Sequence, residues 1–453
     1  MFHVIVNVLY SQFIEYESFP SDLRMSLERA ASYFVKGAQF LDSVKSGKWD
    51  GRMYLLNSGG RVPTGLIGIL VDLIKEKGYS IKVVNEIVYP QGNPFNWIGP
   101  ELRDYQIEAV DVALKRRRGI VELPTRSGKT FFAAKLVQML GLRTLILVNG
   151  KESLYQTMED FKKCIDGVTF GIYGDGKKDV NCDITFATIQ SLVKIRGKNP
   201  FDDVKVILID EVHKAAADTI YKFFMRIEAP YRFGMSATAF RMDNKDIKLI
   251  ALLGRKIYAK NQEEMWDKGI IEKPVIRWVK VSADKLHRAM PYRLHYKAGI
   301  IENDYRNKLV EKIVGKCNGA QILISVENVI HGDILVKQLK HYGAVFVHGG
   351  VAKKKRMEIF EGVRNGTIKL VIATRIFNES LTFPDLSVLI NCAGRKSTLE
   401  LIQKYGRIQG KGNKSSVVIY DFLDEHSSYL MGHSKKRYKD LEKRGYEQEI
   451  ISI

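Results

Sequence analysis

The sequence predicts an α/β protein: two tandem parallel-sheet domains preceded by a small N-terminal α/β domain. Three observations carry that expectation. From residue 99 onward, short β-rich runs alternate with helical stretches, first GIVEL, TLILVN, DITFAT, KVILID and RFGMSA, then AQILISV, AVFVHG, KLVIAT, SVLINC and SVVIYD. Alternation of this kind calls for crossover helices between parallel strands. The first stretch of chain has a different rhythm and ends in a Pro/Gly/Asn-rich segment. Finally, the length of 453 residues is about three domains of ~150 each. A hydrophobic fraction of 45%, with 10% aromatics, is enough to fill such cores and excludes a mostly disordered chain.

Each element follows in order. FHVIVNV is an apolar run of strand length. SDLRMSLERAASYFVKGAQFL has helical spacing, with Ser21 or Asp22 placed to cap its start. Asp50-Gly51 and Gly59-Gly60 are turn signals around the short strand RMYLL. GLIGILVDLIKEKG reads as a second helix ending at Gly78, and YSIKVV as a closing strand. PQGNPFNWIGP is the best linker candidate in the chain. The resulting division is a small α/β domain at 1–97, a first sheet domain at 98–275, and a second sheet domain with a helical extension at 276–453. The join of the last two falls somewhere in 260–300, where RWVKVSADKLHRAMPYRLHYK shows no clean turn cluster.

The charge balance narrows the partners. Lys plus Arg number 71 against 51 Asp plus Glu, a net +20 with a pI near 9.5, which favours a polyanion. No uncharged apolar run approaches the ~18–20 residues needed to cross a bilayer, so no membrane partner is expected. MFHVIVNVLY lacks a basic leader region and a cleavage site and reads as a strand. Cys164, Cys182, Cys317 and Cys392 are scattered, with no C-x-x-C pair and no histidine at ligand spacing, which argues against structural zinc or a disulfide framework. Reduced thiols and a cytoplasmic location are the expectation.

The strongest chemical signal is LPTRSGKT, Leu123 to Thr130, between the strand GIVEL and the helical FFAAKLVQML. Strand, small-residue loop and helix is the context of a phosphate loop, where successive N–H groups surround phosphate oxygens. Pro124, Thr125, Arg126, Ser127 and Gly128 would form the cradle. Lys129 would reach the β- and γ-phosphates of ATP, and the Thr130 hydroxyl would ligate Mg²⁺. Leu123 stands where the usual motif has its first glycine. A second motif, VKVILIDEVH, is an apolar strand ending in adjacent carboxylates. Asp210 is placed to hold Mg²⁺, and Glu211 to orient and deprotonate the attacking water. The two motifs together indicate a nucleoside triphosphatase.

From these residues onward the chain resembles the superfamily 2 helicases and translocases over roughly residues 100–425. LRDYQ looks like their adenine-recognition motif, with Gln106 reading the base edge and Arg103 near it. LPTRSGKT resembles motif I, DEVH motif II and SAT motif III, the last implying a coupling role for Ser236 and Thr238. TLILVNG and FATIQSL look like strand-end motifs that contact nucleic-acid backbone. ILISV, IATRIFNESLTFPDL and IQKYGR resemble motifs IV, V and VI. The resemblance implies tandem RecA-like domains, with Arg407 reaching the γ-phosphate from the second as an arginine finger and Gln403 a catalytic residue of the same motif, so that hydrolysis opens and closes two grips on a strand. Two departures stand out. Ser380 and Thr382 occupy motif V positions normally held by Gly and Asp, and motif VI lacks its second arginine, Lys411 being the nearest cation. Arg407 alone serves as finger, or Lys411 contributes, or hydrolysis is weak. KWDGRMYLL and VPTGLIG together with the later motifs extend the resemblance, over nearly the whole chain, to UvsW-type phage branch-migration helicases. The implied substrate is then branched, forked or duplex DNA in recombination, repair or replication.

Backbone grips need hydroxyls, amides and helix N-termini at strand ends, because these position phosphates without reading sequence. Thr188, Gln190, Ser191, Asn149 and Gly150 meet that description in the first sheet domain, and Ser325, His348 and Thr374 in the second. Each is alternatively a plain strand-end cap. His213 either couples motif II to motif III or simply starts a helix. Trp49, Asp50, Gly51 and Arg52 present an aromatic and a cation to a fork, or form a packed turn. The runs Lys115–Arg118 and Lys353–Arg356 are solvated helix faces or DNA-facing ones. An RNA helicase and a non-hydrolysing, ATP-gated DNA clamp are the competing functions.

Overall fold

The computed structural model describes residues 3–8, 13–16, 20–35, 37–57, 59–212, 218–237, 247–287, 289–317, 319–374, 386–396 and 417–453. By internal contact the chain forms two compact units, residues 1–123 with 128–260, and residues 261–453 with the loop residues 124–127.

The first unit begins with a four-stranded sheet in the order Arg61–Pro63, Phe13–Tyr16, His3–Val8, Ser80–Asn85. Only the last pairing is parallel. The helices Ser21–Ala30 and Ile67–Glu76 bury Leu23, Leu27, Leu70 and Ile74 against Val4, Val6 and Val62. That core does not close on itself. Ile247, Ile250 and Ala251, from the helix Ile247–Leu253 of the following domain, complete it. The two backbones meet at Gly65, where a Cβ would lie 2.0 Å from the Ile250 carbonyl oxygen. Only glycine permits that approach.

Three expectations change here. The helix expected over 21–41 stops at Ala30, and Ser32–Phe34 pairs antiparallel with Arg52–Tyr54. The Ser32 hydroxyl donates to the Arg29 carbonyl at 2.7 Å, and the aromatic run that follows suits an extended strand better than a helix. Neither Ser21 nor Asp22 caps the helix. Pro20 holds the N-cap position, and Asp22 accepts the Tyr79 hydroxyl at 2.9 Å. The linker candidate is a packed strap. Phe95 and Gln138 exchange two hydrogen bonds, Tyr231 donates to the Pro90 carbonyl, and Asn96–Trp97 pairs with Ile165–Asp166. Lys135 lies 4.7 Å from the centre of the Trp97 ring. Proline, glycine and asparagine mark a chain that cannot be helical there, and they do not make it loose.

The rest of this unit is an eight-stranded sheet. Its order is Lys177–Lys178, Phe170–Gly174, Ile184–Thr188, Thr144–Val148, Val206–Ile209, Tyr231–Ser236, Arg118–Glu122, Lys256–Ala259. All pairings are parallel except at the Lys177–Lys178 edge. Its central strands are buried from end to end, as crossover helices on both faces require. The basic run breaks up at the sheet's lower end. Arg117 stacks on Tyr89, and Arg118 donates to the Leu252 and Leu253 carbonyls that end a helix.

The second unit is a seven-stranded parallel sheet ordered Val345–Val347, Leu370–Ala373, Gln321–Ser325, Leu386–Asn391, Val418–Leu423, Val275–Lys280, Glu447–Ile451. The helical extension of this domain includes the helix Ser428–Glu442. Two buried ion pairs tie its elements: Arg306 to Asp424 at 2.9 Å, and Arg437, through Nε and Nη2, to both carboxylate oxygens of Asp421. Among the described residues no helix is long and apolar enough to cross a membrane.

Candidate nucleotide site and nucleic-acid edges

The carboxyl edge of a parallel sheet is where loops converge, and where strand order reverses they leave a crevice for a ligand. In the first unit the strand Tyr231–Ser236 lies between Arg118–Glu122 and Val206–Ile209. The loop leaving the second and the carboxylates ending the third therefore emerge on the same edge, flanking Ser236.

The phosphate loop takes its shape from Gly128. Its φ of 82° is left-handed, and it is the N-cap of the helix Lys129–Leu140. The helix starts there, and its first N–H groups open toward the loop. Ser127 is fully buried; its hydroxyl and its N–H both donate to the Pro124 carbonyl. Lys129 Nζ donates to the Leu123 carbonyl at 3.3 Å, and the Leu123 N–H donates to the Ser236 carbonyl at 3.0 Å. Arg126 and Glu211 have φ of 65° and 49°. Left-handed backbone at non-glycine residues costs about 1–2 kcal/mol, and such strain concentrates at sites of function.

Gln106 is buried beside this loop. Its Oε1 accepts the Arg103 N–H at 2.9 Å and its Nε2 donates to the Gly128 carbonyl at 3.2 Å. Arg103 is exposed at the start of the helix Asp104–Arg116. Thr125 and Thr130 are half-buried. Asp210 donates its N–H to the Leu147 carbonyl and accepts the Glu211 N–H on Oδ1 at 2.9 Å. A hydroxyl and a carboxylate are hard oxygen donors, so Thr130 and Asp210 fit Mg²⁺ by chemistry. His213, Thr238, Gln403, Arg407 and Lys411 lie outside the described residues, as do Ser380 and Thr382.

Asn149, Gly150, Thr188, Gln190 and Ser191 come together at the ends of two neighbouring strands, with Thr188 in register with Val148. Gln190 Nε2 donates to the Asn149 carbonyl, the Thr188 and Ser191 hydroxyls bond at 2.8 Å, and Gly150 is the N-cap of the helix Lys151–Lys162. Sequence reading passed over Lys151 here. It pairs with Asp175, which Tyr155 also contacts, and it brings a cation to the cluster. In the second unit Ser325 ends one strand, and Thr374 and His348 directly follow the next two strands of the sheet. Thr374 donates its N–H to the Val347 carbonyl, and His348 Nδ1 accepts from Gly350. The Trp49–Arg52 segment is a packed turn: the indole N–H donates to the Arg52 carbonyl at 2.8 Å, and Arg52 Nη1 to the Ser32 hydroxyl.

A parallel sheet whose edge carries such a loop and, on the far side of one intervening strand, paired carboxylates is the arrangement of P-loop nucleoside triphosphatases of RecA-like fold. Three family models match in order: "DNA helicase UvsW, N-terminal" over residues 6–84, "Type III restriction enzyme, res subunit" over 99–241, and "Helicase conserved C-terminal domain" over 305–410. The chain is 28% identical to the DNA 3'-5' helicase XPB of Kineococcus radiotolerans, over 78% of this chain and 65% of that one, so it spans just under two thirds of that relative's length. It is 23% identical to the ATP-dependent DNA helicase uvsW of Enterobacteria phage T4, over 93% of this chain and 94% of that one. In fold it is similar to S. cerevisiae Dbp5 bound to RNA and ADP BeF3, with a TM-score of 0.57 at 15% identity, covering 78% of this chain and 90% of that one. The chain is similar to helicases over most of its length, and its first residues match the N-terminal module of the UvsW type.

Proposed function

We propose that this chain is an ATP-driven DNA translocase that remodels branched or forked DNA, acting in recombination, repair or replication. The observation that carries the reading is the shared edge of the first large sheet. Nucleotide-binding groups and backbone-gripping groups leave neighbouring strands of one rigid scaffold, so a change at one is felt at the other. The match to relatives named as DNA helicases, and to the UvsW N-terminal module in particular, supports DNA and branched substrates.

In this reading Pro124–Gly128 cradle the phosphates and Lys129 neutralises the β- and γ-oxygens. Mg²⁺, held by Thr130 and Asp210, would supply charge neutralisation at the leaving phosphate. Glu211 takes the proton of the attacking water, and Gln106 selects the base. Ser236 links the loop to the rest of the edge through the Leu123 N–H, with Thr238 and His213 completing the coupling. By resemblance, Arg407 and Gln403 stabilise the γ-phosphoryl charge. Asn149, Gly150, Thr188, Gln190 and Ser191 hold one stretch of phosphates, and Ser325, His348 and Thr374 another.

Steady-state ATP turnover tests this, measured without nucleic acid and with single-stranded DNA, duplex DNA, a synthetic fork and matched RNA. Stimulation by fork or duplex, lost in Lys129→Ala and Arg407→Ala, is the expected result. Stimulation by RNA alone would overturn the DNA assignment. Absent turnover with ATP-dependent DNA binding would leave a clamp.

A further inference from the structure

We infer that the second unit carries an aromatic platform on which unpaired bases of a single strand stack, a site separate from the strand-end groups above. The inference rests on the proposed action on DNA. The helix Ser428–Glu442 buries Leu430, Ser434, Arg437 and Leu441, which turns Tyr429, His433 and Lys436 to its other face. Tyr429 is 47% exposed, and Tyr292, from the helix Tyr292–Tyr296, is 42% exposed. Their rings meet edge to face with centroids 6.3 Å apart, and His433 lies 5.4 Å from Tyr292. The pair is held from beneath. His295 is fully buried, its ring 4.9 Å from Tyr429 and its Nδ1 3.0 Å from the Ser427 hydroxyl.

Exposed tyrosines on a rigid floor present flat faces at little entropic cost. The surroundings are cationic: Arg395, Lys396 and Lys436 are all exposed. Arg395 Nη2 binds Glu327 at 2.6 Å, and Glu327 stands two residues beyond Ser325, so the platform is continuous with the proposed backbone grip of this unit. Rings bordered by cations suit bases joined by phosphates, the faces taking the bases and the cations the backbone. A branched substrate supplies such a strand wherever a duplex is opened.

The test is fluorescence anisotropy with a short labelled oligothymidine and an abasic oligomer of equal length, on the native chain and on two double variants. Tyr292→Ala with Tyr429→Ala is expected to weaken oligothymidine binding roughly tenfold per ring. Tyr292→Phe with Tyr429→Phe is expected to stay within about twofold of native, since stacking needs the ring and not the hydroxyl. In Tyr292→Trp, indole emission is expected to fall as oligothymidine is added. Thermal unfolding of each variant checks that the fold is kept. Native-like binding by the alanine variant would overturn the platform, as would an equal loss on the abasic oligomer, which would show a purely cationic contact. A change in sedimentation with DNA affinity intact would make this a protein-binding face and also overturn it. A native chain that binds no nucleic acid at all would instead sink the functional reading itself.

Discussion

Gly128 leaves no room for a side chain. Its φ is 82°, and a Cβ would lie 2.4 Å from Gln106 Nε2. Gly128→Ala is therefore expected to displace Gln106 as well as the loop, raising KM for ATP at least tenfold and eroding preference for adenine over guanine nucleotides, read by steady-state turnover with each. Glu211→Gln separates binding from chemistry. It is expected to lower kcat by roughly 10²–10⁴-fold while nucleotide affinity holds within a few-fold, measured by single-turnover hydrolysis beside a fluorescent-nucleotide titration. At this scale the sequence was informative wherever a group's partners are its covalent neighbours. LPTRSGKT and DEVH stand out because a phosphate loop and a strand-end carboxylate pair are local devices. The Gln106–Gly128 and Leu123–Ser236 hydrogen bonds join residues far apart in the chain, and nothing local announces them.

The turn Thr64–Leu66, which leads into the helix Ile67–Glu76, packs on the helix Ile247–Leu253 where Gly65 lies against the Ile250 carbonyl. Gly65→Ala must push two backbones apart, so a loss of about 3 kcal/mol is expected in urea unfolding, at the upper end of overpacking effects. His331, in the helix Val329–Gln338, sets a pH limit on the second unit. Burial, reinforced by the Arg306 charge, pushes its imidazole down to about 3, and its Nε2 lies 3.0 Å from Asn307 Oδ1. The folded state keeps this group neutral while the unfolded chain protonates it near 6.5. Stability is thus whole above pH 6.5 and is lost as pH falls from there toward 3, by about 1.4 kcal/mol per unit. Tm measured against pH is expected to fall more gently for His331→Gln over that window.

In the two large sheets the strands that sequence reading found are buried central ones, whose apolar runs need no partner to be recognised, with the edge strand AVFVHG as the exception. It passed over Lys256–Ala259, Val275–Lys280 and Glu447–Ile451. Their solvent-facing charges break the apolar pattern, and their identity depends on distant neighbours: Arg277 on Glu449, Trp278 on Gln448. The strap was misjudged for a related reason, since composition reports what a backbone can adopt and not what packs against it.

Over the whole chain, the first unit is expected to melt as one body. The N-terminal sheet completes its core with Ile247, Ile250 and Ala251, so residues 1–97 have no closed interior of their own. Calorimetry of the full chain should show no separate low-temperature transition for them, and Ile250→Asp should unfold them together with the nucleotide domain. The net charge of +20 also predicts a steep fall of DNA affinity with salt, linear in log–log form, seen by titrating sodium chloride from about 50 to 200 mM.

The strap has a mechanical consequence. A protein that attaches a sensing head to a motor through a loose tether lets the head wander, and load on the head is spent in stretching the tether. Here Pro90, Phe95 and Trp97 are fastened to the following sheet domain along their path, and the N-terminal module's own core is finished by a helix of that domain. Any pull on the N-terminal module is delivered undiminished to the helix Ile247–Leu253 and the strand Tyr231–Ser236 beside it. In the proposed translocase the N-terminal module is a fixed tool bit rather than a trailing hook.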